Sequence, residues 1–144
     1  MFKSLKRSAK GAAVPHEKGT AGMATVTMAT PAHVIIPMSM HIGAPAEPVV
    51  KKGDAVMVGT MIGKAGGFVS ANIYSSVSGT VQDVAPLRMA NGSMATAVAI
   101  KTDGAQTVDP ACVPPVVTDK KSLMAAMQAC GLVGLGGAGF PTHV

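Results

Sequence analysis

The densest chemical signal lies near the carboxyl end, in Gly134-Leu135-Gly136-Gly137-Ala138-Gly139-Phe140-Pro141-Thr142. Its glycines follow the order Gly134-x-Gly136-x-x-Gly139, formally the dinucleotide fingerprint. Glycines at such a site let backbone amides converge on a phosphate or a flat ring without side-chain obstruction. The ordinary setting of that fingerprint is a strand before it and a helix after it. Here a helix is predicted before it, so the ordinary Rossmann reading fails, and a tight packing turn competes with a binding loop. The remaining candidates are weaker. His41 lies among apolar residues and reads as a structural histidine hydrogen-bonded in a turn. Glu47 and Asp54 both lie in turns, and no third group suggests an acid–base pair. His16 and His33 have no carboxylate or cysteine nearby in sequence. Cys112 and Cys130 are far apart and lack metal-ligand spacing, so they imply neither a disulfide framework nor an iron–sulfur site. No residue is assigned as catalytic or as a metal ligand.

The elements that would carry these residues are short. Residues 1–31 read as a flexible basic arm with Lys3, Lys6, Arg7, Lys10 and Lys18; within it, Val26 and Met28 alternate with polar neighbours as a short edge strand would. Residues 32–104 form the organised part. Val34-Ile35-Ile36 is a buried strand ended by Pro37. Lys51-Lys52-Gly53-Asp54 is a tight turn. A short strand pair spans Val56 to Ile62 and is broken at Gly59, and glycines 63, 66 and 67 make a loop. Asn72-Ile73-Tyr74 and Thr80–Val84 are strands, and Asn91-Gly92 signals a hairpin into Ala95–Ile100. Residues 105–118 are a Pro-rich linker. From 119 to 130 the sequence predicts a helix capped by Thr118 or Asp119, with Leu123, Ala126, Met127 and Cys130 on one apolar stripe and Gly131 in the left-handed position after it. A helix and a glycine loop cannot bury a core alone, so residues 119–144 are expected to begin a second domain that this chain does not complete.

The turn around Gly53-Asp54 and the later Val77-Ser78-Gly79-Thr80-Val81 together resemble the barrel-sandwich hybrid of biotinyl and lipoyl carrier domains. Gly53 and Gly79 are then expected in equivalent turns of two pseudo-repeated halves. A carrier needs a lysine at the hairpin tip between its halves. The candidate is Lys64, but the carrier position falls nearer Phe68 and Val69, and the Asp-Lys-Ala or Met-Lys-Met signature is missing. The fold is therefore expected to be shared and the carrier function lost.

Longer strings carry a more specific resemblance. The loop from Gly134 to Thr142 is similar to the flavin- and NADH-binding loop of the 51-kDa flavoprotein of respiratory complex I. It resembles more closely that of the RnfC family, a component of the Rnf electron-transport complex. His41–Asp54, Gly63–Ala71 and Ser75–Val81 look like the same family, and the resemblance runs from about Pro15-His16 to Val144. It implies a peripheral protein on the cytoplasmic side of the cell membrane, working with the other Rnf subunits and indirectly with ferredoxin. That complex couples electron transfer between ferredoxin and NAD to sodium or proton movement. It implies a mainly β fold: a barrel-sandwich hybrid, a linker, one helix and the start of an α/β nucleotide- and FMN-binding domain. Gly134, Gly136, Gly137, Ala138, Gly139, Phe140 and Thr142 become the residues expected to bind FMN or NADH, but not tightly in this chain alone. Two [4Fe–4S] clusters are expected only in a later segment. The competing readings are a docking module that does no chemistry and a carrier modified on Lys64.

Composition removes other classes. Hydrophobic residues make up 48 % and charged residues 13 %, the reverse of a disordered chain. The net charge of +5 is concentrated in the amino-terminal arm. Without interleaved aromatics, that arm argues against nucleic acid as a partner. No apolar h-region follows the basic start, so no signal peptide is expected. No apolar run approaches the length of a membrane span. The two unpaired-looking cysteines suit a reducing cytoplasm.

Overall fold

The computed structural model describes residues 15–144. The first part of the predicted basic arm, with Lys3, Lys6, Arg7 and Lys10, lies outside the described residues. Val26 and Met28 are not in an edge strand. The chain from 24 to 31 is irregular, and both side chains are exposed. Alternation alone is too weak to order the segment, which pairs with no strand among the described residues. The strand over Val34–Ile36 is not buried throughout either, since Ile35 is exposed.

Among the described residues, seven strands make two small sheets. β1 (His33–Pro37), β7 (Met94–Thr102), β6 (Gly79–Arg88) and β3 (Ala55–Val56) form one sheet in that order, and β2 (Glu47–Pro48), β4 (Met61–Lys64) and β5 (Ile73–Tyr74) form the other. All pairings between named strands are antiparallel. A register shift between Val81 and Asp83 bends the long β6–β7 ribbon, as an extra residue on one strand does. The curled sheet wraps a core of Ile36, Met38, Ile62, Val81, Val98 and Ile100, drawn from both sheets. Met38 links them: its N–H extends the β1–β7 ladder to the Thr96 carbonyl at 2.8 Å, and its own carbonyl accepts the N–H of Ala46, next to β2, at 2.8 Å. The architecture is mainly β with one helix, in keeping with a barrel-sandwich hybrid.

The Asn91-Gly92 hairpin forms as predicted, closed by Met89 N–H to the Ser93 carbonyl at 2.8 Å. Its strands are longer than expected, because β6 continues through Pro86 to Arg88. Only the β7 side of β6 is paired there, since β3 meets β6 at Gly79 and Thr80 alone. An edge position lacks the ladder bond that proline cannot donate to. Gly79 differs from expectation as well. It opens β6 opposite Thr102 instead of sitting in a turn equivalent to that of Gly53.

α1 spans Lys120–Ala129 and is N-capped by Asp119, whose carboxylate accepts the Ser122 N–H at 2.7 Å. Gly131 follows it with φ of 63°, the left-handed position predicted. The expected apolar stripe is not a buried face: Leu123 and Cys130 are exposed, and Ala126 and Met127 are half-buried. Among the described residues no element lies across it.

The predicted linker is tied down in its first half. Val58 N–H donates to the Thr107 carbonyl at 2.8 Å, Asp109 N–H to the Val58 carbonyl at 2.9 Å, and the Thr60 hydroxyl to the Asp109 carboxylate at 2.6 Å. Asp103 accepts the Ser78 hydroxyl at 2.6 Å and the Ala105 N–H at 2.9 Å. These bonds hold both carboxyls below their ordinary value of 3.8, led by Ser78 for Asp103 and by Thr60 for Asp109. A carboxyl whose value is lowered by folding stabilises the fold above its unfolded value and loses that contribution as pH falls through its folded value. The contribution of these two carboxyls to the melting temperature is therefore expected to be complete above about 3.8 and to be lost progressively below it. An Asp103→Asn, Asp109→Asn chain should show a shallower acid limb in thermal melts across that range. An unchanged limb would remove these two groups from the acid response.

Candidate functional site

The glycine loop does not stand apart from the barrel. Val133 and Pro141 form an isolated bridge, Gly134 N–H donates to the Phe140 carbonyl at 2.9 Å, and Thr142 N–H donates to the Leu132 carbonyl at 2.9 Å. The chain thus leaves and returns at one point, and residues 134–138 form an exposed apex.

Facing the apex is the barrel segment 38–43, which turns back after β1. An open cleft of about 440 Å³ lies between them. Ser39, Met40, Ile42 and Asn91 line the barrel side; Gly134, Leu135, Gly137, Ala138 and Gly139 line the loop side. Of the residues expected to bind a cofactor, Gly134, Gly137, Ala138 and Gly139 meet at this cleft, whereas Gly136, Phe140 and Thr142 do not line it. Among the described residues no lysine or arginine lines it. It can take the flat uncharged part of a heterocycle against backbone, but the described residues bring no cation to a phosphate there. An adjoining apolar cavity of about 330 Å³ lies between β1 and β5, lined chiefly by Ile35, Ile36, Met40, Ile73, Tyr74 and Leu135.

The glycines differ in what they need. A Cβ on Gly136 or Gly137 would meet nothing within 4 Å. One on Gly139, which has φ of 67°, would lie 2.9 Å from the Met40 carbonyl oxygen and 3.0 Å from the His41 Cα. Gly139 therefore packs the loop onto the barrel, and the 136–137 pair is the part left open.

His41 is structural, as expected. It is buried, and in its Nδ1–H tautomer it donates to the Ile42 carbonyl at 3.2 Å while Nε2 accepts the Ala71 N–H at 3.2 Å. Glu47 pairs with Lys64 across β2 and β4, and Asp54 folds back on Lys51 at 3.2 Å. His16 and His33 are exposed. Among the described residues no group of three or more His, Cys, Asp or Glu could hold a metal ion. Lys64 is exposed within β4, not at the hairpin tip. The tip between β4 and β5 carries Phe68, which is 74 % exposed, so the place of a carrier lysine holds an aromatic ring.

His143 carries no signal in the sequence. It is buried, with Nε2 3.2 Å from the Phe68 carbonyl and its ring edge-on to that of Phe68. Asn72 and Tyr74 read from the sequence only as strand residues. Both donate to the Ala129 carbonyl at the end of α1. These partners lie about 55 to 75 residues apart in sequence, and no local pattern marks them.

Residues 6–105 match the family described as the RnfC Barrel sandwich hybrid domain. The chain belongs to the RnfC family. The C subunit of the Na(+)-translocating ferredoxin:NAD(+) oxidoreductase complex of Acetobacterium woodii is 46% identical over 117 residues, covering 79% of this chain and 26% of that protein. The C subunit of the proton-translocating ferredoxin:NAD(+) oxidoreductase complex of Clostridium ljungdahlii is 37% identical over 149 aligned residues, covering 97% of this chain and 32% of that protein. The C subunit of the ion-translocating oxidoreductase complex of Rhodobacter capsulatus is 38% identical over 135 residues, covering 90% and 26% respectively. The chain thus spans between a quarter and a third of the length of these RnfC relatives. No helix among the described residues is long and apolar enough to cross a membrane.

Proposed function

We propose that this chain is the barrel-sandwich part, with the first turn of a cofactor-binding part, of an Rnf-type electron-transfer subunit. The complete subunit would pass electrons between NADH and ferredoxin through FMN and two [4Fe–4S] clusters. It would sit peripherally on the cytoplasmic side of the membrane, against the other subunits of an ion-translocating complex. The observation that carries this reading is the 46% identity to the RnfC relative of a sodium-translocating ferredoxin:NAD oxidoreductase complex, across most of the chain.

FMN is assigned to residues 134–142 on the resemblance of that loop to flavin-binding loops, and the open apex at Gly136 and Gly137 suits it. The fit is partial. The cleft offers one backbone wall and apolar side chains such as Met40, Ile42 and Leu135, but among the described residues no positive charge for a phosphate. Tight binding needs groups on most sides of a ligand, so the remaining contacts would come from outside this chain. Cluster ligands would too, since Cys112 and Cys130 are the only cysteines. A carrier role on Lys64 gains nothing from its position in β4.

The test is spectroscopic. A full-length RnfC protein that includes this segment should purify with flavin absorbance near one FMN per chain and with iron–sulfur signals in electron paramagnetic resonance. The 144-residue chain should be colourless and bind FMN and NADH only weakly in titrations. A colourless full-length protein that takes up no FMN would overturn the reading.

A further inference from the structure

Both legs of the glycine loop are held by the barrel, through contacts that the loop does not need in order to close. On the incoming leg, Tyr74 and Asn72 of β5 and its approach donate to the Ala129 carbonyl. Gly131 lies so close over this segment that a Cβ there would come within 2.3 Å of the Asn72 backbone oxygen. On the outgoing leg, Gly139 rests on the backbone of Met40 and His41, and His143 reaches the Phe68 carbonyl at 3.2 Å. The barrel surface beneath is itself cross-braced. The His41 ring joins segment 41–42 to Ala71, Ala44 N–H donates to the Val69 carbonyl at 2.9 Å, and the Ser70 hydroxyl donates to the Ala44 carbonyl at 2.8 Å.

His143 is the least economical of these contacts. A carbonyl only accepts, so Nε2 carries the proton. Nδ1 is left buried and, among the described residues, without a hydrogen-bond partner. A buried unpartnered nitrogen is unfavourable and calls for an explanation beyond packing. What the ring supplies is a donor to Phe68 and an edge contact to its ring, at a centroid distance of 6.3 Å and 83° between planes. Those contacts fix the outgoing leg two residues beyond the loop's own closing bridge at Pro141.

We infer that the barrel is the positioning platform of the glycine loop, and that His143, bonded to the tip between β4 and β5, is the positioning residue that holds the apex over the cleft above Ser39, Met40 and Asn91. This rests on the proposal that residues 134–142 bind FMN. The physical reason is population. A loop with four glycines samples many conformations when its ends are loose. Apparent affinity falls in proportion to the fraction of molecules whose loop is in the binding geometry.

The test uses His143→Ala and His143→Gln in the full-length protein, with two readouts. In hydrogen exchange without ligand, amides of 132–142 should exchange roughly tenfold faster in His143→Ala, while β6 and β7 keep their protection. His143→Gln retains an N–H donor and should fall between His143→Ala and the parent. In FMN titrations the affinity should fall by about the same factor in the same order. Unchanged exchange in His143→Ala overturns the inference whatever the FMN result. Faster exchange with unchanged FMN affinity shows that the loop is held by His143 but is not the FMN element, which overturns the reading on which the inference rests. Loss of protection across β6 and β7 in both variants makes His143 a folding residue and also overturns it.

Discussion

Replacement of Gly79 by alanine is expected to prevent the barrel from reaching its native state. Gly79 opens β6 with φ of 155°, opposite Thr102 of β7. A Cβ there would lie 2.1 Å from the Lys101 carbonyl oxygen and 2.9 Å from both the Lys101 carbonyl carbon and the Thr102 Cα. All three neighbours are backbone, so no side-chain rotation relieves the overlap. The β6–β7 pair would have to separate where it begins, and that pair supplies Val81, Val98 and Ile100 to the core. A loss above about 3 kcal/mol is expected, a large part of a small domain's total stability. Gly53→Ala is the control. Its φ of 93° is also unfavourable for a side chain, but a Cβ there meets nothing within 4 Å. It should cost about 1 kcal/mol, from backbone strain alone. Circular dichroism and thermal melts of the two variants separate the effects. A Gly79→Ala chain that melts within a few degrees of Gly53→Ala would show that the strand pair yields easily.

The contrast between these glycines marks where the sequence is legible. Local chemistry reads directly. Pro37 ends β1, Asn91-Gly92 turns the long hairpin, Asp119 caps α1, and Gly131 leaves it in the left-handed region. Each depends on neighbours within four residues. Ser-Gly is a turn signal, which points Gly79 to a turn, yet that glycine is required by Lys101, 22 residues away across a sheet. Pro86 makes β6 look shorter than it is, since whether a proline lies on an edge depends on how far β3 extends beside it. Val26 and Met28 have the alternation of a strand but pair with no strand among the described residues.

The candidate site divides in the same way. The loop's glycine spacing and its resemblance to flavin-binding loops lie in the sequence. The division of labour among those glycines does not, because it depends on the segment carrying Met40 and His41, about 100 residues earlier. A Pro-rich linker suggests a barrel beyond the loop's influence. In the structure the linker's first half is bonded to the barrel, and the loop packs on it through Gly139. His143 and Asn72 are invisible in the sequence for the same reason: their partners come together only through the tertiary fold.

Gly136→Val and Gly139→Val should therefore fail in different ways in a full-length protein, although the spacing motif treats them alike. At Gly136 a side chain enters open space, and the residue lacks the left-handed φ that a β-branched side chain would strain. Melting temperature and hydrogen exchange should stay at parental values. FMN affinity should drop by about a hundredfold or more, roughly 2.7 kcal/mol, because the valine stands on the open apex at Gly136 and Gly137 to which FMN is assigned. At Gly139 the φ of 67° disfavours valine, and the Met40 carbonyl and the His41 backbone stand in its way. The loop should lift from the barrel. FMN binding would then be lost together with protection of amides 132–142, and the His41 bonds to Ile42 and Ala71 would loosen. Titration and exchange on the same two preparations tell the routes apart. Parental FMN affinity in a folded Gly136→Val protein would take the apex out of the site. Parental exchange in Gly139→Val would show that the loop is not packed on the barrel as the contacts at Met40 and His41 require.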